Sequence, residues 1–426
     1  VITINELYDI YLQHPQVQTD TRKLQPGDLF FALKGANFNG NEFALQALQA
    51  GAAYAIVDEE IDANNKQLLQ VPDVLTALQQ LAKYHREQLD IPFIAITGSN
   101  GKTTTKELVH AVLSSHYKTY TTKGNLNNHI GIPLTLLQVK RDAQMAVVEM
   151  GANHLQEIAG YCQYTLPTHG IITNCGKAHL EGFGSAEGVR KGKGELYDFI
   201  RANGGSIFAF DDYDYLHSMS AGIEKIYWYG TQNGNIVGHA GKHDAFLSVT
   251  FTKGVSFAEL QTQLVGTYNL PNVLCAVAIG KYFGVPEEKI KHAVESYLPS
   301  NSRSQLIMLG SNTVILDAYN ANPSSMKAAI ENFAVMPGDN KVMLLGGMAE
   351  LGNDSEREHQ QLVALIDQYP FKSVVLVGKY FNNIPHHYIH LPDAEAAKEW
   401  LLQQQLAHAT ILVKGSRAMQ MEKVIS

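Results

Sequence analysis

The sequence predicts an α/β protein of three domains, on three observations. Apolar runs of strand length alternate with amphipathic helical stretches through most of the chain, the pattern of parallel sheets. One such run leads straight into a Gly-rich turn and then a helix beginning at Lys102-Thr103. And 426 residues exceed what a single hydrophobic core ordinarily holds. The expected domains are a small α/β domain over 1–89, a central parallel-sheet domain of phosphate-loop type over 90–299, and a Rossmann-like domain over 300–426.

The elements follow in chain order. Asp28-Leu29-Phe30-Phe31-Ala32-Leu33 and Ala53-Tyr54-Ala55-Ile56-Val57 read as short strands, with residues 42–50 helical between them and apolar on one face. Pro26-Gly27 and Asn39-Gly40 mark turns. Phe93-Ile94-Ala95-Ile96 lacks the alternation of a half-exposed strand, so it is read as a central strand buried on both faces. Residues 103–115 then carry Leu108, Val109, Val112 and Leu113 along one side of a helix. Residues 146–150 and 170–174 add parallel strands. Beyond Pro299, Val314-Ile315-Leu316, Val342-Met343-Leu344-Leu345, Val374-Val375-Leu376-Val377 and Ile411-Leu412-Val413 alternate with helical spacers, as in an open doubly wound sheet.

Composition narrows the class. With 45% hydrophobic and 17% charged residues the chain reads as globular, and no apolar run reaches the roughly 20 residues that cross a bilayer. Val1-Ile2-Thr3-Ile4-Asn5-Glu6 lacks the basic-then-apolar pattern of a secretory signal, so no membrane insertion is expected. A net charge of −8 speaks against general nucleic-acid binding. Cys162, Cys175 and Cys275 are odd in number and lack metal-ligand spacing, which fits a reducing cytoplasm. A monomer is expected.

The chemistry starts at Gly98-Ser99-Asn100-Gly101-Lys102-Thr103-Thr104. A strand, a Gly-rich turn and a helix start present backbone N–H groups to phosphate oxygens. Lys102 is placed for the β- and γ-phosphates and Thr103 for Mg²⁺, although Ile96 stands where the eight-position pattern has its first Gly. Glu149 ends an apolar strand at the edge where open sheets bind ligands, yet a surface or capping Glu reads equally well there. His179 and Lys193 are, on their own residues, more often a structural histidine and a solvated lysine. Asn269 and Asn272 fit adenine recognition or a turn and helix cap. Asp317-Ala318-Tyr319-Asn320-Ala321-Asn322-Pro323 and Lys414-Gly415-Ser416-Arg417 each follow a strand and are expected to share a crevice, where Lys and Arg pair with a substrate carboxylate or simply face solvent.

Taken together and in this order, the motifs resemble the Mur ligases of peptidoglycan synthesis over nearly the whole chain. The likeness rests on Asp20-Thr21-Arg22, Pro26-Gly27-Asp28-Leu29-Phe30, residues 97–104, residues 124–133, Glu149-Met150-Gly151-Ala152-Asn153, Ala178-His179-Leu180-Glu181, Lys193-Gly194-Glu195 and Tyr268-Asn269-Leu270-Pro271-Asn272. In the last third, Tyr319-Asn320-Ala321-Asn322-Pro323, Ala349-Glu350-Leu351-Gly352 with His359, and Lys414-Gly415-Ser416-Arg417 resemble the members that add D-alanyl-D-alanine, and the Asn-Pro-Arg signature of the diaminopimelate-adding members is absent.

The resemblance implies a ligase using ATP and two Mg²⁺ ions to join UDP-N-acetylmuramoyl-tripeptide to D-alanyl-D-alanine. Lys102, Glu149, His179 and Lys193 would be catalytic. Thr103, Glu149, His179 and a carbamylated Lys193 would serve the metals. Residues 98–104, Asn272, Arg303 and Asp317 would bind ATP, Asn272 at adenine and Asp317 at the ribose. Thr21, Arg22, Asn127, Asn128, Tyr319, Asn320, Asn322, Lys414 and Arg417 would bind substrates, with Lys414 and Arg417 at the dipeptide end.

Three positions depart from the family's pattern: Asn41 where His is usual, Gly347 where Asp is frequent, and Ala209-Phe210, just before Asp211-Asp212, where an Asn-Ala pair is usual. A related amide ligase (another Mur enzyme, or one like folylpolyglutamate synthetase) and a non-catalytic UDP-sugar binder stand as the competing readings.

Overall fold

The computed structural model describes residues 1–241, 245–300 and 302–426. By internal contacts the chain divides into two compact units. The first holds Val1–Ala95, Tyr117–Ala152 and Gln156–Gly170; the second holds Ile96–His116, Asn153–Leu155 and Ile171–Ser426. The division falls within the stretch expected as one central domain.

The first unit begins with a four-stranded parallel sheet, in the order Val17–Gln18, Leu29–Phe31, Tyr54–Val57, Leu68–Gln70. Its core is built from Phe30, Ala32, Ala44, Ala47, Ala52, Ala55 and Val57. The helix expected over 42–50 is a 3₁₀ turn, Gly40–Phe43, continued by the α-helix Ala44–Gln49. Asp73 starts the helix Val74–Glu87 by accepting from the Thr76 N–H. Near its end, buried Arg86 stacks over the Phe93 ring and donates to the carbonyls of Leu89, Thr165 and Leu166. Those last two carbonyls close the helix Glu157–Thr165, so the cation meets its negative dipole end. Burial holds the Arg86 pKa down at about 10.

A nine-stranded sheet runs in the order Glu259–Val265, Phe246–Lys253, Ile236–Ala240, Lys225–Gly230, Ser206–Phe210, His169–Ile172, Phe93–Thr97, Met145–Glu149, Thr119–Thr121. Phe93–Thr97 is buried at every position, as its unbroken apolar run predicts. The sheet is not wholly parallel. Ile236–Ala240, Phe246–Lys253 and Glu259–Val265 form an antiparallel extension that sequence reading left unassigned. In the second unit the helix Leu270–Tyr282 packs on the helix Lys102–Ser114. Gly280 permits that approach, since a Cβ there would lie 2.7 Å from Val112 Cγ1.

The last sheet runs Gln305–Leu309, Asn312–Asp317, Thr410–Lys414, Lys341–Gly346, Ser373–Val377, Ile389–Leu391. Only the first pair is antiparallel. Val314, Leu316, Val342, Leu344, Val375, Val377, Ile411 and Val413 fill its core. Because Thr410–Lys414 lies directly beside Asn312–Asp317, the two motif-bearing strand ends are neighbours, as expected. Among the described residues no helix is long and apolar enough to cross a membrane.

Candidate active site

The phosphate loop is shaped by its glycines and held from beneath. Gly98 has φ +146°, and a Cβ there would overlap Thr173 Oγ1. Gly101 has φ +78°, with a Cβ position 2.7 Å from Asn272 Oδ1. The Ser99 N–H donates to the Asn174 carbonyl (2.9 Å) and the Asn100 N–H to Asn174 Oδ1 (3.0 Å). Thr173 Oγ1 and Asn174 Nδ2 both donate to the Asn100 carbonyl. Lys102 Nζ curls back onto the carbonyls of Gly98 (2.7 Å) and Ser99 (3.2 Å). Thr103 is buried in the first turn of the helix.

Asn272, expected at adenine, lies under this loop. Its Oδ1 accepts from Thr105 Oγ1 (3.0 Å) and its Nδ2 donates to Asn269 Oδ1 (2.9 Å). One hydrogen and one lone pair of the amide lie outside those two bonds.

A second loop, residues 173–181, reaches residues of the last third within the same unit. Ser99 Oγ donates to the Gly176 carbonyl, and the Lys177 N–H to Ser324 Oγ (2.9 Å). Lys177 Nζ meets Glu358, which is almost fully buried, at 2.8 Å. His179 Nδ1 lies 2.5 Å from Glu350 Oε2, an ion-pair distance without hydrogen-bond alignment. Contact with His179 holds the Glu350 carboxyl below its ordinary range. Both residues sit at left-handed φ, +51° and +61°, which costs non-glycine residues energy and is characteristic of functional sites. Sequence reasoning singled out His179 and Glu350 but not their pairing. It missed Asn174, Lys177, Ser324 and Glu358, whose only signal is a place just beyond a strand end or at a helix start.

In the first unit, Glu149 is 2% exposed at its strand end. Its backbone N–H donates to Thr122 Oγ1, and its carboxylate accepts from Asn127 Nδ2 at 2.8 Å. Asn127 therefore orients Glu149. Asn128 Oδ1 accepts the N–H groups of Ile130 and Gly131 at the start of the helix Gly131–Leu137, a capping use of a residue expected at substrate. Thr21 and Arg22 lie on a 3₁₀ turn, where exposed Arg22 grips Asp20 through two hydrogen bonds.

Lys193 is 1% exposed on the helix Ala186–Ala202, its Nζ 5.0 Å from the centre of the Phe183 ring. Gly192 makes room for that ring, which a Cβ would overlap. Burial pushes the nearby Cys175 thiol up to about 12, with Lys193 and Arg190 opposing. The solvated-lysine alternative is thereby set aside.

Asp317 and Lys414, expected at two different ligands, are bound to each other: Lys414 Nζ lies 2.6 Å from Asp317 Oδ2 and 3.3 Å from the Asn320 carbonyl. Lys414 is 1% exposed, so its ammonium is buried against Asp317. Arg417, by contrast, is exposed, pairs with Glu422 and lies more distantly from the Tyr319 ring. Arg303 stacks on the other residue of note here, its guanidinium 3.5 Å from the Tyr319 ring centre. Asn320 is exposed, while Asn322 caps the helix Pro323–Val335.

Comparison with known proteins fits this geometry. The family model described as "Mur ligase middle domain" matches residues 96–280, "Mur ligase, glutamate ligase domain" matches 302–417, and "Mur ligase family, catalytic domain" matches 15–86. The chain is 37% identical, over its whole length and 97% of the other protein, to the UDP-N-acetylmuramoyl-tripeptide–D-alanyl-D-alanine ligase of Escherichia coli K12. It belongs to the Mur ligase family. It is 35% identical, over 96% of this chain and 92% of the relative, to the enzyme of the same name from Bacillus subtilis 168. A crystal structure of MurF from Acinetobacter baumannii superposes with a TM-score of 0.87 at 32% identity, covering 96% of this chain and 92% of that one.

The three departures from the Mur ligase pattern have local causes. Asn41 is buried and bonds both Asn39 and Asp58, closing the turn that follows the first sheet's second strand. A Cβ at Gly347 would lie 2.5 Å from the Tyr380 ring, so an Asp does not fit here. That ring stacks parallel on His359, whose Nε2 accepts the Met348 N–H and whose Nδ1 faces the Ser355 carbonyl, fixing a neutral tautomer. Ala209 and Phe210 are buried at the end of the strand Ser206–Phe210, where apolar side chains suit the surroundings.

The donor set is compatible with Mg²⁺. Among the described residues no three His, Cys, Asp or Glu converge into a metal cage. Mg²⁺ does not need one, because it keeps several waters and takes one or two protein ligands alongside substrate phosphates.

Proposed function

We propose that this Mur ligase joins D-alanyl-D-alanine to the terminal carboxylate of UDP-N-acetylmuramoyl-tripeptide at the expense of ATP, in cytoplasmic peptidoglycan precursor synthesis. The observation that carries the reading is end-to-end identity of 37% to an enzyme of that name. Matches at 15–86, 96–280 and 302–417 support assigning 1–89 to the UDP-substrate, 90–299 to ATP and 300–426 to the incoming amine.

The tripeptide carboxylate attacks the γ-phosphorus of ATP, giving an acyl phosphate and ADP. Lys102 and the phosphate-loop N–H groups stabilise the charge that spreads over the transferring group. The neutral amine of D-alanyl-D-alanine then attacks the acyl carbon, and phosphate leaves through a tetrahedral intermediate. A carboxylate is already anionic, so the first step asks for positioning more than for a base. Thr103, Glu149 and His179 would hold Mg²⁺, which when bound neutralises phosphate charge. In this reading two ions are used, and Lys193 carries a carbamate. Burial of Lys193 supports that, since it shelters the side chain from solvent. Arg417, exposed and with a bidentate fork, is the better candidate for the dipeptide carboxylate. The protein is taken to act as a monomer.

The test is phosphate release from ATP with UDP-tripeptide and a panel of amines. Release stimulated by D-alanyl-D-alanine above single amino acids supports the reading; preference for glutamate or diaminopimelate overturns it.

A further inference from the structure

We propose that Asn322 is a positioning residue for ATP: it sets which end of the Asn100 side chain the phosphate loop offers to the nucleotide. The proposal rests on the ligase reading above.

The chain of bonds is directional. Asn322 Oδ1 accepts the Ser325 N–H at 2.9 Å, the capping bond of the helix Pro323–Val335, and Ser325 Oγ accepts the Asn322 N–H. That cap fixes the orientation of the Asn322 amide, because a flipped amide would turn its NH₂ toward another N–H. Its Nδ2 then points at Asn100 and donates to Asn100 Oδ1 at 2.7 Å. Asn100 is oriented in turn. Its oxygen is taken, and its Nδ2, with two hydrogens and one long 3.4 Å contact to Asn322 Oδ1, is the end left as a donor. The backbone of Asn100 is clamped separately by Thr173 and Asn174, so the side-chain orientation is the one freedom Asn322 decides.

The chemical consequence follows from the ligand. A phosphate oxygen accepts hydrogen bonds and repels a carbonyl oxygen at the same distance. With Asn322 in place the loop offers an NH₂; without it the Asn100 amide is free to turn, and half of its orientations present the wrong atom. The helix bearing Asn322 belongs to the part assigned to the amine substrate, so the loop is completed only by residues far along the chain.

The experiment uses the full chain and calorimetric binding of a non-hydrolysable ATP analogue with Mg²⁺. Asn322→Ser keeps a capping oxygen but is too short to reach Asn100. Asn322→Thr is a second variant of the same kind. Each is expected to weaken analogue binding about twofold, the share lost when half of the Asn100 orientations are wrong, with the thermal midpoint unchanged. Asn100→Ala, which deletes the donor itself, should cost about fivefold, and Asn100→Ala/Asn322→Ser no more than Asn100→Ala alone. Wild-type affinity in both Asn322 variants, additive losses in the double variant, or losses that track a fall in thermal midpoint would each overturn the proposal. Failure of the ligase reading shows separately, as wild-type protein that binds no ATP analogue or releases no phosphate with both substrates.

Discussion

Replacing Lys414 by methionine keeps the side-chain length but deletes the charge that faces Asp317 at 2.6 Å. The loss is one charge-assisted hydrogen bond, about 1.5–3 kcal/mol. Asp317 keeps the Ser304 N–H at 3.2 Å, and its side chain is 17% exposed, so water relieves part of its charge. Asp317→Ala is the harsher change. It leaves an ammonium in a side chain 2% exposed with, among the described residues, the Asn320 carbonyl at 3.3 Å, and breaking a buried pair from that side costs about 3–5 kcal/mol. Asp317→Leu/Lys414→Met, which removes both charges, should be less destabilised than Asp317→Ala. Urea unfolding followed by circular dichroism gives the order of midpoints: wild type highest, then Lys414→Met, then Asp317→Ala. The same variants separate stability from binding. Lys414→Met should change the dipeptide KM less than Arg417→Ala does. A Lys414→Met protein of normal stability with a tenfold higher dipeptide KM would refute the reasoning and return Lys414 to the substrate.

Three further perturbations follow from the same geometry. Lys102→Ala should abolish ATP-dependent phosphate release while leaving binding of the UDP-substrate intact; near-normal turnover would remove the phosphate-loop role. Lys193→Ala should be inactive, with partial recovery on adding a short carboxylate, and full activity without one would end the carbamate proposal. Glu287 is held down to about 2 by Lys281, then by Ser256. A carboxylate with a depressed folded pKa stabilises the protein above its unfolded value near 4.5, and the gain is lost as pH falls toward about 2. Glu287→Gln should therefore lower the thermal midpoint at neutral pH, with the gap closing between about pH 4.5 and 2; a constant gap would contradict the pairing.

What the sequence made legible and what it hid divide along physical lines. Strands buried on both faces, such as Phe93–Thr97, carry an unbroken apolar run that no other surrounding requires. Gly98 and Gly101 were legible because only glycine takes their φ beside Thr173 and Asn272. The strand Ile236–Ala240 was not, because it is short, contains a Gly and pairs through a bulge, whereas Phe246–Lys253 carries a readable alternation of Leu247, Val249 and Phe251 with Ser248, Thr250 and Thr252 that went unassigned. Pairings across long stretches of chain were equally silent. Lys177 and Glu358, or Asn100 and Asn322, are ordinary polar residues until the fold brings them together. The same holds for Asp317 and Lys414. Each was noticed for its place at a strand end, but only adjacent strands in the sheet show that they satisfy one another.

The most direct measurement is the product formed from ATP, UDP-N-acetylmuramoyl-tripeptide and D-alanyl-D-alanine by the purified protein, followed by mass spectrometry alongside phosphate release. UDP-N-acetylmuramoyl-pentapeptide in one-to-one ratio with phosphate, absent when any one of the three is withheld, is the expected result. Phosphate release without pentapeptide, or an adduct with a different amine in preference, would contradict it.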